Sequence, residues 1–291
     1  MATFITTEPN IITGSHEYDA SKHIVQKWRE YWKYYHNKTN IDDYNFTDIY
    51  HLPLSSIQYS NSKQDLGFID NKYDFDAILF ISPNAIKSFY QISKINHYTN
   101  NLTLLSKNIW LIGQASYEVF CQYYNPNEYK ITYVNQAQKA NIQQLFYLLE
   151  NNHQLFNQQN ILVIKGNLGN SWFYEQLEQK YNANIKYIVS YTKTYTQSYL
   201  NYNSDELKRL HEIAIKDNQF NIYISSSDTL AIWHNYFSRL IEIYPETFTQ
   251  NIQQTIYIKH ASIQAKAQKI FTQSESKLSY TAKVVLITDF V

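Results

Sequence analysis

The stretch Phe75-Asp76-Ala77-Ile78-Leu79-Phe80-Ile81-Ser82-Pro83-Asn84-Ala85-Ile86 decides the fold. Its first half is an unbroken apolar run, the mark of a strand buried on both faces rather than one with a wet side. Its second half is a helix start. A serine oxygen caps free backbone amides, and proline, with no amide to satisfy, fits the first turn. Ala85, Phe89 and Ile92 continue the helix at its own spacing. A buried strand running straight into a helix is half of a β-α-β unit.

The same phrase recurs in both directions. Phe4-Ile5-Thr6-Thr7 reads as a strand and residues 19–35 as a helix, with Ile24, Trp28, Trp32 and Tyr35 on one face. Downstream, residues 108–112 read as a strand, Gly113 as a turn and residues 116–123 as a helix. Residues 130–134 read as a strand, and residues 141–150 as a helix that turns Ile142, Leu145, Phe146 and Leu149 inward. Residues 160–164 lead through Gly166-Asn167-Leu168-Gly169 into a helix from Ser171, and residues 185–190 form another strand. Residues 280–291 read as either a strand or a helix, the analogy with 142–149 favouring the helix. Strands alternating with helices of this length predict an α/β protein with parallel sheets covered by helices.

The phrase also has an internal echo. Residues 75–82 resemble 220–226, and 109–116 resemble 255–262; Ser226 lies 144 residues after Ser82, and Ser262 lies 146 after Ser116. Near-constant spacing predicts two similar α/β lobes. Strand 160–164 and its helix have no later counterpart, and the N-terminal strand and helix are the natural one. One lobe is then discontinuous, from residues 1–50 plus 196–291, and the other continuous, from 58–186. Residues 51–57 and 187–195 are the linker strands, Pro53 suiting an edge or crossover position.

Composition narrows the function. The chain has 291 residues and only 5 glycines, where average usage gives roughly 20. They cannot spell the dinucleotide-binding fingerprint or a P-loop, so both nucleotide folds are excluded. One cysteine, Cys121, excludes a disulfide framework and paired-cysteine metal or redox motifs. It reads as a small buried residue of a helix. Lysine plus arginine equal aspartate plus glutamate at 25 each, which argues against a nucleic-acid partner. The N-terminus lacks a secretory pattern and no run is long enough to span a bilayer, so a cytoplasmic protein with no membrane partner is expected. Nine histidines form no zinc-binding pattern, and no metal is expected. Glu8 and the Asp42-Asp43 pair read as surface charges.

Eight motifs taken in order resemble the uroporphyrinogen-III synthase family. They are Thr7-Glu8-Pro9, Leu52-Pro53-Leu54, Phe80 to Ile86, Gly113-Gln114-Ala115-Ser116, Ile164 to Gly169, Ser190-Tyr191-Thr192-Lys193, Ser225-Ser226-Ser227 and His260-Ala261-Ser262. The resemblance implies two α/β lobes joined by a two-stranded linker, one lobe discontinuous. It implies a lyase of haem biosynthesis that cyclises hydroxymethylbilane, inverts its last pyrrole ring and loses water. No cofactor is used in that family. The implied partner is the tetrapyrrole substrate alone, held between lobes by a monomer. The chain departs from the family pattern at Glu8, an arginine in the family, at Asn170, where a basic residue is common, and at Lys259, where the second glycine turn is lost. A bilobed binding protein or a synthase-like chain without activity is the alternative.

The chemistry has three demands. The hydroxyl must leave, the flexible chain must be curled end to end, and water must be kept from the resulting azafulvene cation. Helix N-termini bind carboxylates through free amides and the positive dipole end, so a neutral protein can hold a polyanion. Ligand sites of open α/β sheets lie beyond the carboxyl ends of the strands. The expected substrate-binding residues are therefore Ser82, Pro83, Asn84, Gly113, Ser116, Gly166, Asn167, Gly169, Ser226, Ser227 and Ser262. Helix capping is the ordinary role of those serines, and the same amides serve both. Tyr191 matches the family tyrosine placed over the leaving hydroxyl and is the expected catalytic residue. Lys87, Lys165, Lys193 and His260 are further cations beside these motifs.

Overall fold

The computed structural model describes residues 2–13, 16–17, 20–39, 46–60, 75–95, 105–106, 108–135, 141–151, 157–169, 171–248, 252–258, 261–275 and 280–287. The chain begins with β1 (Ala2–Thr6), β2 (Asn10–Thr13), β3 (His16–Glu17), α1 (Ala20–Thr39), β4 (Phe46–His51) and β5 (Ser55–Tyr59). Then come β6 (Ala77–Phe80), α2 (Pro83–Ile95), β7 (Asn108–Leu111), α3 (Gln114–Tyr123), β8 (Lys130–Tyr133) and α4 (Ile142–Glu150). These lead to β9 (Asn160–Gly166), α5 (Trp172–Tyr181) and β10 (Asn184–Tyr195). Last are α6 (Asp205–Asp217), β11 (Gln219–Ile224), α7 (Ser227–Ile243), α8 (Pro245–Phe248), β12 (Ile252–Ile258), α9 (Ala261–Glu275) and β13 (Tyr280–Leu286).

Two compact units result: Met1–Ile57 with Thr194–Val291, and Gln58–Lys193. The first is built on the sheet β13-β12-β11-β1-β4, parallel at every pairing. The second is built on β10-β9-β6-β7-β8, again parallel throughout. Read from β4, the first sheet runs β4-β1-β11-β12-β13, which matches the second position by position. The unit β1-α1-β4 answers to β9-α5-β10, and β11-α7-β12-α9-β13 answers to β6-α2-β7-α3-β8. The α/β class and the likeness of the two parallel-sheet units expected from the echo are both present.

Each unit is held by side chains facing from the sheet into its helices. In the second, Leu79, Trp110, Ile161 and Val163 pack on Leu145, Phe146, Phe173 and Leu177. In the first, Ile5, Phe220, Ile222 and Ile256 pack on Leu210, Trp233, Phe237 and Leu240. On its other face Phe4 meets Trp28 at a tilt and Trp32 edge-on, with ring centroids 4.7 and 5.0 Å away. The helical stripe of α1 thus buries its tryptophans as the spacing implied. Truncating any of Trp28, Trp110 or Trp233, all fully buried, costs about 3–5 kcal/mol.

Three sequence expectations are corrected. The C-terminal helix is the strand β13, paired in parallel with β12 from Ile252↔Tyr280 to Ile258↔Leu286. Val284-Val285 is β-branched and suits a pleated surface. Cys121 is exposed rather than buried. Ser116 and Phe120, one helical turn apart, face the core, and the next residue is rotated off that face. Glu8 is no solvated charge: its Oε1 accepts hydrogen bonds from Lys27 Nζ at 3.2 Å and Trp28 Nε1 at 3.0 Å. Asp42, Asp43, Asn170, Lys259 and His260 lie outside the described residues.

Candidate functional site

In the Gln58–Lys193 unit the carboxyl ends of β6 and β9 lie beside residue 191 of β10. The β6 end leads into α2 through Ser82, whose Oγ accepts a hydrogen bond from the Ala85 amide at 3.1 Å. Ser82 therefore caps the helix as the sequence suggests. The first turn of α2, which begins with Pro83 and Asn84, carries no acidic side chain. Its positive dipole end is not neutralised by the helix itself.

Tyr191 sits across from this cap. Its phenol oxygen is 3.1 Å from Ser82 Oγ. The ring closely approaches Gly166: a Cβ there would stand 2.6 Å from ring atoms Cε2 and Cζ and 3.0 Å from the phenol oxygen. Glycine is needed at 166 for this close approach and not for a left-handed turn. The turn role falls to Gly169, whose φ is +149°. Tyr191 is largely buried, and burial raises its phenol above the ordinary value, only partly offset by the Ser82 hydrogen bond. It holds its proton at neutral pH. Ser82, Gly166 and Tyr191, distant in sequence, are thus brought together.

The glycine loop is tied to β10 by Asn167. Its amide donates to the Tyr191 carbonyl at 3.0 Å. Its side-chain Oδ1 accepts from the Lys193 amide at 2.8 Å, and its Nδ2 donates to the Lys193 carbonyl at 3.4 Å. The Asn167 side chain serves as a short length of false strand, with both polar ends engaged. Other phenols surround the site. Tyr59 is pushed up to about 12, first by burial and then by its neighbours Tyr123 and Tyr191. Tyr174 is raised by burial, with Tyr187 and Tyr191 adding to it. Lys165 rests above the rings of Tyr174 and Tyr187, 5.3 and 5.6 Å from their centroids. Lys87 and Lys193 are half-buried.

The other expected residues lie at other helix starts. Gly113 is the N-cap of α3 with extended backbone and no capping side chain; Ser116 lies inside the first turn and is buried. The cap expected of Ser116 is absent, though α3 also has no acid in its first turn. In the first unit, Ser226 forms a capping box with Thr229: its Oγ accepts from the Thr229 amide at 3.3 Å, and its own amide donates to Thr229 Oγ1 at 3.0 Å. Ser227 Oγ accepts from Lys266 Nζ at 3.3 Å, and Asp228 brings a carboxylate to the same turn, bonded by the Tyr195 hydroxyl at 2.5 Å. That helix end already has its own anion. Ser262 is the second residue of α9. Among the described residues no group of acidic, histidine or cysteine side chains could hold a metal ion, and no helix is long and apolar enough to cross a membrane.

Sequence reasoning missed Ser88 and Ser190. Their side chains meet, with Ser88 Oγ 2.6 Å from Ser190 Oγ. A serine beside the motif tyrosine was visible in the sequence; its partner on the buried side of α2 was a core position with a hydroxyl, a weak but legible signal.

The family model for uroporphyrinogen-III synthase HemD matches residues 45–239. No curated protein matches the chain. Among solved structures, it is similar to a mutant uroporphyrinogen III synthase of Thermus thermophilus, with 9% identity, 97% of this chain and 93% of that one covered, and a TM-score of 0.48. The wild-type Thermus thermophilus protein gives 10% identity, 97% and 92% coverage, and a TM-score of 0.40.

Proposed function

The chain belongs to the uroporphyrinogen-III synthase family, and on that premise we propose that it is a cofactor-free lyase closing hydroxymethylbilane into uroporphyrinogen III. The observation that carries the proposal is the Tyr191 phenol set close against Gly166 and within hydrogen-bond reach of the Ser82 cap of α2. A buried phenol with a proton to give is suited to a departing hydroxyl. The Tyr191 O–H donates to the hydroxymethyl oxygen as its bond to carbon breaks. Water leaves, and the pyrrole nitrogen stabilises the carbocation as an azafulvene. Attack by the substituted carbon of the last ring, rearrangement and ring closure return the proton, so the net loss is one water. The substrate carboxylates are drawn to the positive dipole end of α2, where no acidic side chain competes, and the apolar ring face of Tyr191 limits water at the cation.

The test is turnover of freshly made hydroxymethylbilane, with the isomers separated chromatographically. The expected product is the type III isomer. Type I alone, the uncatalysed product, supports instead the binding-only reading. Tyr191→Phe is expected to lower turnover at least several-fold with the unfolding midpoint retained; unchanged turnover removes Tyr191 from the mechanism.

A further inference from the structure

Ser190 is the residue left over where β9 and β10 fall out of step. The strands pair regularly from Asn184↔Asn160 to Val189↔Lys165 and resume at Tyr191↔Gly166, with one residue unmatched between them. In a regular strand neighbouring side chains point to opposite faces. Here Ser190 meets Ser88 of α2, and Tyr191 meets Ser82, the cap just before α2. The extra residue of a bulge makes that possible by re-aiming the next side chain. Ser88 and Ser190 are both fully buried. The two hydroxyl oxygens lie 2.6 Å apart, with the Ala85 carbonyl 3.1 Å from Ser88 Oγ and the Lys165 carbonyl 3.4 Å from Ser190 Oγ. The latter carbonyl belongs to the residue before Gly166, the platform of the Tyr191 ring. The pair thus ties together the helix, the bulge and the platform.

We propose that Ser88 and Ser190 are positioning residues for Tyr191, their buried hydroxyl pair fixing the bulge that turns the phenol onto Gly166 and toward Ser82. The proposal rests on the reading of Tyr191 as the group that acts on the substrate. Backbone bonds alone do not supply this aim. The Ser60 amide bonds the Ser190 carbonyl, and the Asn167 amide bonds the Tyr191 carbonyl. These hold the main chain at either side of the bulge.

The experiment is a double-mutant cycle on the full chain with two readouts, bilane turnover and the ring signals of isotope-labelled tyrosine, Tyr191 being assigned by its loss in Tyr191→Phe. Ser190→Ala is expected to lower kcat about tenfold with KM changed less than about twofold, a loss of aim rather than of binding. Added to Tyr191→Phe it is expected to change kcat less than about twofold, because a residue acting through Tyr191 has nothing left to act on. The Tyr191 ring signal and its alkaline titration are expected to shift in Ser190→Ala and in Ser88→Ala, which breaks the pair from the helix side and answers alone if Ser190→Ala does not fold. A Tyr191 signal and titration unchanged in the serine variants overturn the positioning role, as does a kcat loss that persists in full on Tyr191→Phe. Shifted Tyr191 signals with turnover indifferent to Tyr191→Phe overturn instead the reading of Tyr191 as catalytic, and leave the positioning role standing.

Discussion

At Gly166 the absence of one carbon decides where a ring can lie. Gly166→Ala places a methyl 2.6 Å from the Tyr191 ring, so the ring must leave or the strands must part. The variant is expected to lose about 1–3 kcal/mol in urea unfolding, as overpacked sites do, and to lose turnover in step with Tyr191→Phe. Tyr191 sets a pH expectation of its own. Its proton is held more tightly than in a free phenol, so its donor capacity persists through neutral pH and fails only on the alkaline side of the ordinary value near 10. The alkaline limb of the kcat profile, measured in wild type and absent from the residual activity of Tyr191→Phe, checks this. The sequence exposed Tyr191 and Gly166 through their motifs, but not their contact. A bulge is a fault of register between two strands, and no periodicity within either strand encodes it. Glu8 was misread for a related reason: its partners Lys27 and Trp28 become neighbours only when α1 folds back on β1.

Glycine scarcity is met at the ends of the helices. α5 and α6 close on Asn182 and Asn218, both left-handed, at φ 51° and 50°. Asparagine tolerates that region better than other side-chain-bearing residues, and glycine best of all. Asn218→Gly is expected to leave stability within about 0.5 kcal/mol, and Asn218→Ala to cost about 1 kcal/mol, both read from urea midpoints. At the other end of a helix, Ser226→Ala removes half of a capping box and is expected to cost about 1 kcal/mol. Elements were legible where apolar runs met helix starts, as at residues 77–86. β13 was misread because the wrong counterpart was chosen for it. Tyr280 follows Lys130 by 150 residues, close to the spacing of the echo, so β8 and not α4 was its match. The information was present in the repeat rather than in the segment.

Across the whole molecule, buried phenols couple folding to alkali. Tyr50 in one unit and Tyr59 in the other are both pushed up to about 12, chiefly by burial. The folded chain therefore holds these protons more tightly than the unfolded chain, whose phenols ionise near 10. Their contribution is complete below about pH 10 and is lost as pH rises toward 12. Urea midpoints taken from about pH 8 to about pH 11 are expected to be level and then to fall, and Tyr59→Phe to flatten the decline. The pairing of β1 has a consequence for biosynthesis. Its Phe4 and Ile5 lie between Ile49-Tyr50 of β4 and Asn221-Ile222 of β11, so one edge of the strand finds its partner within about fifty residues of synthesis and the other only after more than two hundred. Every strand of β10-β9-β6-β7-β8 emerges in that interval. On the ribosome the middle of the chain can finish folding while its beginning still carries an open, apolar edge, and the growing chain is most in need of a chaperone during that wait.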